Sequence, residues 1–369
     1  MISGGGTGGH VYPALAVVEW LTAGSEPGRP SAVLWVGSDG GVEKALVDRA
    51  NLTFAGISAA GLRGRGPGGL ARGVAALTRG IRQARHLVAT FRPDVLFVTG
   101  GYVCGPVVLA AWLARVPVLI YLPDVEPGLA IRSLARFARR VAVTASSSAR
   151  YFKPGQTVVT GYPVRRGLFG GDRAASRQRL ELTAQSAQGE DLPVLLVFGG
   201  SQGAHSINKA LSDGIAPLLA AAQVVHLTGR RDAEWVQAQR SSLSAEVRAR
   251  YRVYDYLDEE MVDALLAADL VVARAGASIL GELPAAGLPG VLVPYPYAGA
   301  HQWANARFLA GAGAAVIVPD DEVGTQLVPV VGGLLAHADG RAAMSRAARA
   351  LARPDAAERI ARELKELSL

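Results

Sequence analysis

Two glycine-rich loops, about half a chain apart, constrain this sequence more than any other feature. Gly4 to His10 reads GGGTGGH and Gly199 to Ala204 reads GGSQGA. Laid over one another as GGTGG on GGSQG, they bring Thr7 onto Ser201. A glycine loop between a buried strand and a helix lets the backbone N–H groups approach a ligand closely. Each loop opens a run of apolar strands alternating with helical patterns. In the first run strands are expected at Ala32–Val36, Thr53–Ile57, Val95–Thr99, Val118–Leu122, Val141–Thr144 and Thr157–Thr160. The second begins at Val194–Phe198 and continues at Val224–Leu227, Arg252–Asp255, Leu270–Ala273, Val291–Val293 and Ala315–Val318. Such alternation calls for parallel sheets covered on both faces. With 369 residues the chain is too long for one ordinary core. The expectation is an α/β protein of two Rossmann-like domains facing across a cleft, residues 1–163 and 164–354. The amphipathic stretch 355–369 is free to cross back onto the first domain.

Composition narrows the class. Half the residues are apolar and 19% are charged, which describes a globular chain. A single cysteine, Cys104, excludes an internal disulfide framework and any cysteine-cluster metal site, and fits a reducing compartment. No charged leader precedes an apolar segment, so no secretory signal is expected. Val95 to Ala114 has 20 residues without a charge, the length of a membrane span. Its central Gly100-Gly101 and Gly105-Pro106 favour strand, turn and helix instead. The net charge of +7 is uneven: residues 1–163 hold 17 Lys and Arg against 8 Asp and Glu, and the remainder 21 against 23. Between Asp48 and Asp94 no acid occurs, while Arg49, Arg63, Arg65, Arg72, Arg79, Arg82, Arg85 and Arg92 do. Leu70, Val74, Leu77 and Ile81 are spaced for one helical face within it. This is a packed helix with a solvated arginine face, or one that lies on an anionic membrane surface.

The first loop is not a phosphate-binding P-loop, since no Gly-Lys-Ser/Thr follows. It also lacks the acid that a dinucleotide site places after the second strand. His10, just past the loop, is suited to take a proton from a hydroxyl. Ser201 and Gln202 add a hydroxyl and an amide to the second loop, where the helix dipole favours a phosphate. Glu282 lies on an otherwise small and apolar helical stretch, close in sequence to Gly276 and Ser278, and can accept from both hydroxyls of a ribose. No Asp-x-Asp occurs, so a metal clamp on a diphosphate has no obvious ligands and no cofactor is expected. Charge on a leaving diphosphate would fall to helix N-termini, Ser201 and Arg165.

GGGTGGH, the GGY-x-x-GP run at Gly100 to Pro106, GYPVR at Gly161 to Arg165, GGSQGA, and the stretch Gly276 to Asn305 occur in this order. Together they resemble the MurG family, bacterial peptidoglycan N-acetylglucosaminyltransferases of the GT-B fold, over nearly the whole chain. The resemblance implies inverting, metal-independent transfer of N-acetylglucosamine from UDP-N-acetylglucosamine. The acceptor would be the C4 hydroxyl of N-acetylmuramyl-pentapeptide on undecaprenyl diphosphate, at the cytoplasmic membrane face. It further implies that Thr7, Gly8 and Gly9 line the sugar side of the cleft, with His10 as base or acceptor-site residue. Arg165, Ser201 and Gln202 would serve the diphosphate, Leu257 the uracil, and Ala277, Ser278, Ile279, Leu280 and Gly281 the phosphates. Glu282 would hold the ribose, Gln302 the sugar hydroxyls, and Tyr102 would face the acceptor. A peripheral protein on an anionic membrane, with no nucleic-acid partner, follows.

Two positions depart from the family pattern. Tyr121-Leu122-Pro123-Asp124 stands where His-Glu-Gln-Asn is usual, and Tyr162 replaces the Asn of Gly-Asn-Pro-Val-Arg. Asp124 therefore occupies a donor-contacting position, and Asp124 or Glu126 can either share acid–base work or cap the helix beginning near Gly128. The same departure keeps open a UDP-sugar transferase acting on another lipid, such as diacylglycerol. A nucleotide-sugar sensor is disfavoured by His10, Glu282 and Gln302, and a dehydrogenase by the missing acid.

Overall fold

The computed structural model describes residues 1–23, 32–59, 67–185, 189–200, 203–296 and 301–369, with the side chains of 67–75 not described. The chain divides into two compact units, Met1–Arg165 with Arg353–Leu369, and Arg166–Ala352.

Unit 1 contains β1 (Ile2–Gly4), β2 (Leu34–Ser38), β3 (Thr53–Ile57), β4 (Leu96–Gly100), β5 (Val118–Leu122), β6 (Arg140–Val143) and β7 (Thr157–Val159). They form one parallel sheet in the order β3-β2-β1-β4-β5-β6-β7. The central strands β4 and β5 are buried along their whole length, as a sheet covered on both faces requires. Unit 2 contains β8 (Val194–Phe198), β9 (Gln223–Leu227), β10 (Tyr251–Tyr254), β11 (Leu270–Ala273), β12 (Gly290–Leu292) and β13 (Ala315–Ile317). Their order, β10-β9-β8-β11-β12-β13, repeats that of unit 1 and is again all parallel. In each sheet the strand order reverses beside the first strand of the unit, between β1 and β4 and between β8 and β11. Crevices at such reversals, beyond the carboxyl ends of the strands, are where open parallel sheets bind ligands. Both glycine loops leave their strands at these two points.

Local chemistry shifts some boundaries. The first helix spans Gly8–Thr22 and starts at the glycines, with Thr7 in extended conformation as N-cap. Pro13 lies inside it. Its missing N–H leaves the Gly9 carbonyl without its helical donor. The helical pattern at Ile207–Leu219 breaks at Gly214 into His205–Asp213 and Ile215–Ala221. A Cβ on Gly214 would sit 2.5 Å from the Val328 side chain, so glycine lets this turn approach the helix Val323–Ala336. The uncharged run at Val95–Ala114 resolves into β4, a glycine turn and the helix Cys104–Leu113. Among the described residues no helix is long and apolar enough to cross a membrane.

The C-terminal helix Ala356–Ser368 belongs to unit 1 and packs on Gly8–Thr22. Its buried face is Ala356, Ile360, Ala361 and Leu364, the spacing of one helical stripe. Arg140, at the start of β6, pairs with Glu363 and, at 2.8 Å, with Glu366, while the Lys365 ammonium lies over Trp20. Ile360 is fully buried. Ile360→Ala should therefore destabilise unit 1 by about 2–5 kcal/mol in urea denaturation, and a loss under 0.5 kcal/mol would show that this helix is not part of the core.

Candidate active site

In unit 1 the first glycine loop meets the turn after β4 at van der Waals distance. Gly100 and Gly101 both have positive φ, +126° and +95°, and the Gly5 N–H donates to the Gly100 carbonyl at 3.1 Å. A Cβ on Gly101 would sit 2.5 Å from the Gly5 carbonyl oxygen, and one on Gly100 would sit 2.7 Å from the His10 ring. Glycine is needed at both for conformation and for space. The His10 imidazole is thereby laid against the turn that precedes Tyr102, whose side chain is exposed.

His10 Nδ1 is 3.1 Å from the Gly5 carbonyl oxygen and 3.3 Å from Thr7 Oγ1. A carbonyl can only accept, so Nδ1 carries the proton and donates, and Nε2 keeps its lone pair. Thr99 Oγ1 donates to the His10 carbonyl at 2.6 Å, fixing the backbone beneath the ring. Burial pushes the imidazole below its ordinary pKa; the Asp124 carboxylate and the Gly5 carbonyl pull it back up. Asp124 is thus a charge facing His10. The Thr144 hydroxyl donates to the Leu122 and Pro123 carbonyls, and the Ser148 hydroxyl to the Val125 carbonyl, pinning the segment that carries Asp124. The helix Leu129–Leu134 has Gly128 as N-cap, and Asp124 and Glu126 are both half-buried on the segment before it.

A residue that sequence reasoning missed lies under the loop. Glu43, at the start of the helix Glu43–Arg49, is fully buried. Its carboxylate accepts from the Ser38 N–H at 2.7 Å and from the Gly6 N–H at 3.2 Å. Cβ atoms on Gly5 and Gly41 would fall 2.5 and 2.3 Å from it, so two glycines clear its space. Arg165 lies in unit 1, its guanidinium over the Tyr12 ring at 5.3 Å.

In unit 2 the expected binding residues cluster at the carboxyl ends of the strands. Ala277 and Ser278 form the turn after β11, and Ile279, Leu280, Gly281 and Glu282 the first turn of the helix Ile279–Ala286. Glu282 is half-buried, the Gly276 Cα faces open space, and Leu257 is buried in the loop after β10. Gln302 Oε1 accepts from the Tyr295 N–H at 2.8 Å, which ties the loop after β12 to the helix His301–Gly311. Asn305, three residues further along that helix, is fully buried and donates to the Ala275 carbonyl at 3.0 Å, tying the helix to the loop after β11. Arg274 was missed as more than a strand boundary. It donates to the Val293 carbonyl, Asp320 and Ser206, and lies over Tyr295, joining the segments after four strands. Ser201 and Gln202 lie outside the described residues.

The family model of the glycosyltransferase family 28 N-terminal domain matches residues 1–143, and that of its C-terminal domain residues 194–360. The chain is 43% identical to the UDP-N-acetylglucosamine–N-acetylmuramyl-(pentapeptide) pyrophosphoryl-undecaprenol N-acetylglucosamine transferase of Roseiflexus sp. (strain RS-1), over 97% of this chain and 92% of that one. It is 42% identical to the transferase of the same name from Moorella thermoacetica, over 98% and 96%. The chain belongs to the MurG family. Among solved structures it resembles the crystal structure of Acinetobacter baumannii MurG, with a TM-score of 0.75 and 27% identity over 99% of this chain and 98% of that one. The two α/β units are thus those of a GT-B glycosyltransferase.

Family membership gives the two sequence departures a physical meaning. Tyr121, Leu122 and Pro123 are buried, and Tyr162 is 5% exposed. The two tyrosines meet edge-on with ring centroids 6.2 Å apart. Tyr121 Oη bonds Thr144 Oγ1 at 2.8 Å, and the Tyr162 hydroxyl donates to the Gly9 carbonyl at 3.4 Å. That carbonyl is the one Pro13 leaves unmatched. Tyr162 therefore supplies a hydrogen bond to that carbonyl, and Tyr121 and Tyr162 pack on one another inside unit 1.

A buried network braces unit 2 behind its glycine loop. Asn208 Nδ2 donates to the Thr228 carbonyl and to Asp232, so its Oδ1 accepts from His226 Nε2–H at 3.0 Å, and His226 Nδ1 accepts from the Tyr251 hydroxyl at 2.8 Å. A Cβ on Gly203 would sit 2.3 Å from the Thr228 carbonyl oxygen, so this network and the loop share a surface. Burial pushes His226 from 6.5 to about 3, and it stays neutral. The unfolded chain then binds the extra proton first, so stability is full above pH 6.5 and is lost as pH falls toward 3. Denaturation of the wild type should lose on the order of 3 kcal/mol between pH 6.5 and about pH 4 from this group. His226→Gln should be less stable at neutral pH yet flatter across that window; an unchanged slope would remove His226 as the cause.

Proposed function

We propose that this protein transfers N-acetylglucosamine from UDP-N-acetylglucosamine to the C4 hydroxyl of N-acetylmuramyl-pentapeptide on undecaprenyl diphosphate. The observation that carries the reading is the His10 imidazole. It is held by Gly5 in the tautomer that leaves Nε2 as a base, at the strand reversal of unit 1, in a chain of the MurG family. In the proposed step the acceptor oxygen attacks the anomeric carbon and gives its proton to Nε2. The bond from that carbon to the diphosphate breaks with its electron pair on UDP, and the configuration inverts. Asp124 stabilises the imidazolium that forms, by its charge. Thr7, Gly8 and Gly9 contact the donor sugar, and Tyr102 faces the acceptor.

On the donor side, Glu282 holds the ribose, Leu257 the uracil, and Ala277 to Gly281 the phosphates at a helix N-terminus. Arg165, Ser201 and Gln202 meet the diphosphate charge, and Gln302 offers its amide N–H groups to the sugar, its oxygen being used by Tyr295. A lipid-linked acceptor requires a membrane surface, and unit 1 supplies one kind of contact. Trp112 and Leu113 are exposed at the end of the helix Cys104–Leu113, which packs on the helix Pro67–Phe91 with its exposed Arg79, Arg82 and Arg85. Apolar side chains beside a basic face suit peripheral attachment to an anionic leaflet, the cytoplasmic one. Of the departures that suggested transfer to diacylglycerol, Tyr121, Leu122, Pro123 and Tyr162 are buried in unit 1, and Asp124 alone is half-buried.

Purified protein with radiolabelled UDP-N-acetylglucosamine should label a short-chain lipid-linked N-acetylmuramyl-pentapeptide and leave diacylglycerol unlabelled; the reverse would overturn the reading. Glu282→Ala should weaken UDP binding by roughly 1.5–3 kcal/mol in calorimetry, the scale of a hydrogen bond to a charged group. Unchanged affinity would reject the ribose role.

A further inference from the structure

Glu43 and His10 do not touch, yet one peptide group joins them. The Gly6 N–H that donates to Glu43 Oε2 and the Gly5 carbonyl that accepts from His10 Nδ1 belong to the same Gly5–Gly6 peptide. We propose that Glu43 is a positioning residue for the transfer reaction: its buried carboxylate acts through the Gly5–Gly6 peptide to orient His10 and to strengthen it as a base.

The physical case has three parts. A carboxylate hydrogen-bonded to an amide N–H polarises that amide and makes its carbonyl oxygen a better acceptor. The better acceptor stabilises the Nδ1–H tautomer and the imidazolium formed when Nε2 takes a proton, as a carboxylate does directly in a carboxylate–histidine pair. Glu43 is also committed to this place. It is fully buried, its other oxygen is held by the Ser38 N–H, and a Cβ on Gly5 or Gly41 would collide with it. The neighbouring Lys44 is turned away to Asp48, so the charge of Glu43 is met here by backbone N–H groups.

Other groups face the pair. Asp124 acts on His10 from the segment after β5, and Thr7 Oγ1 lies near Nδ1. Thr99 bonds the His10 backbone, and Arg165 lies over Tyr12, two residues further on. The Cys104 thiol, at the start of the helix Cys104–Leu113, donates to the Ser3 and Gly100 carbonyls and is pushed up to about 12 by burial, so it adds no charge. Asp124 and Glu43 thus reach the imidazole by different routes, one through space and one through a peptide.

The proposal rests on His10 being the base, and the experiment separates the two. Glu43→Gln keeps the shape and removes the charge. It should lower kcat about ten-fold, leave KM for UDP-N-acetylglucosamine unchanged, and move the acid limb of the kcat profile to lower pH, because the imidazolium loses support. A wild-type profile, or a lower rate with an unmoved limb, overturns the relay. In a His10→Ala background Glu43→Gln should change nothing further, and a full ten-fold loss there overturns it. If His10→Ala itself keeps the wild-type rate, the base reading fails while the positioning is still read from nitrogen NMR of the native protein. That spectrum should show His10 protonated at Nδ1 and bare at Nε2. A proton on Nε2 overturns the proposal, whether or not Glu43→Gln folds.

Discussion

The crossing of two backbone segments at Gly5 and Gly101 is the constraint on which unit 1 is arranged. Neither position has room for a methyl group, and each segment leaves a strand that borders the reversal of strand order. Once the segments touch, much else follows by steric necessity. The Gly5 carbonyl points at the first turn of the next helix, where His10 is the first side chain able to donate to it. The ring lies against Gly100 on one side. The His10 tautomer is set here by backbone geometry, with no side-chain acid bonded to Nδ1 among the described residues.

Unit 2 repeats the strand order but solves the same problem differently. Its loop is braced by the neutral chain Tyr251–His226–Asn208, and the segments after four strands are tied by one buried guanidinium, Arg274. Neutral partners suit the interior behind the loop, where an uncompensated charge would be costly. Arg274 is tolerable because Asp320 accompanies it. The two units share a topology, and the residues that stiffen each ligand edge were chosen separately.

Much of this was legible in the sequence because it is written in local patterns. Strand ends, both glycine loops, His10 and Glu282 are each read within about ten residues, and the order of the motifs marks the family. What escaped reading depends on contacts between distant segments. Glu43 looks like an ordinary acid in the first turn of a helix, and its partner Gly6 is 37 positions away. Arg274 reads as a polar residue ending a strand, though its partners lie 19, 46 and 68 positions off. Asn305 reads as one more polar group near a loop, and its amide is spent on the Ala275 carbonyl 30 positions away. Type and spacing reveal that a polar group is present; only the fold decides which side of the backbone it serves.

The tyrosine pair carries the same lesson to substitutions. Read along the chain, Tyr121 and Tyr162 are two independent departures in a reactive region, 41 positions apart, and they invite a different acceptor. In the fold they are one contact, at the boundary between β5 and the end of the unit. The proline inside the first helix leaves one carbonyl without its helical donor, and the Tyr162 hydroxyl reaches it. The phenol ring needs room to do so, and Tyr121 borders that room edge-on. Departures from a family pattern bear on specificity only where their side chains leave the core, and in this loop that leaves Asp124.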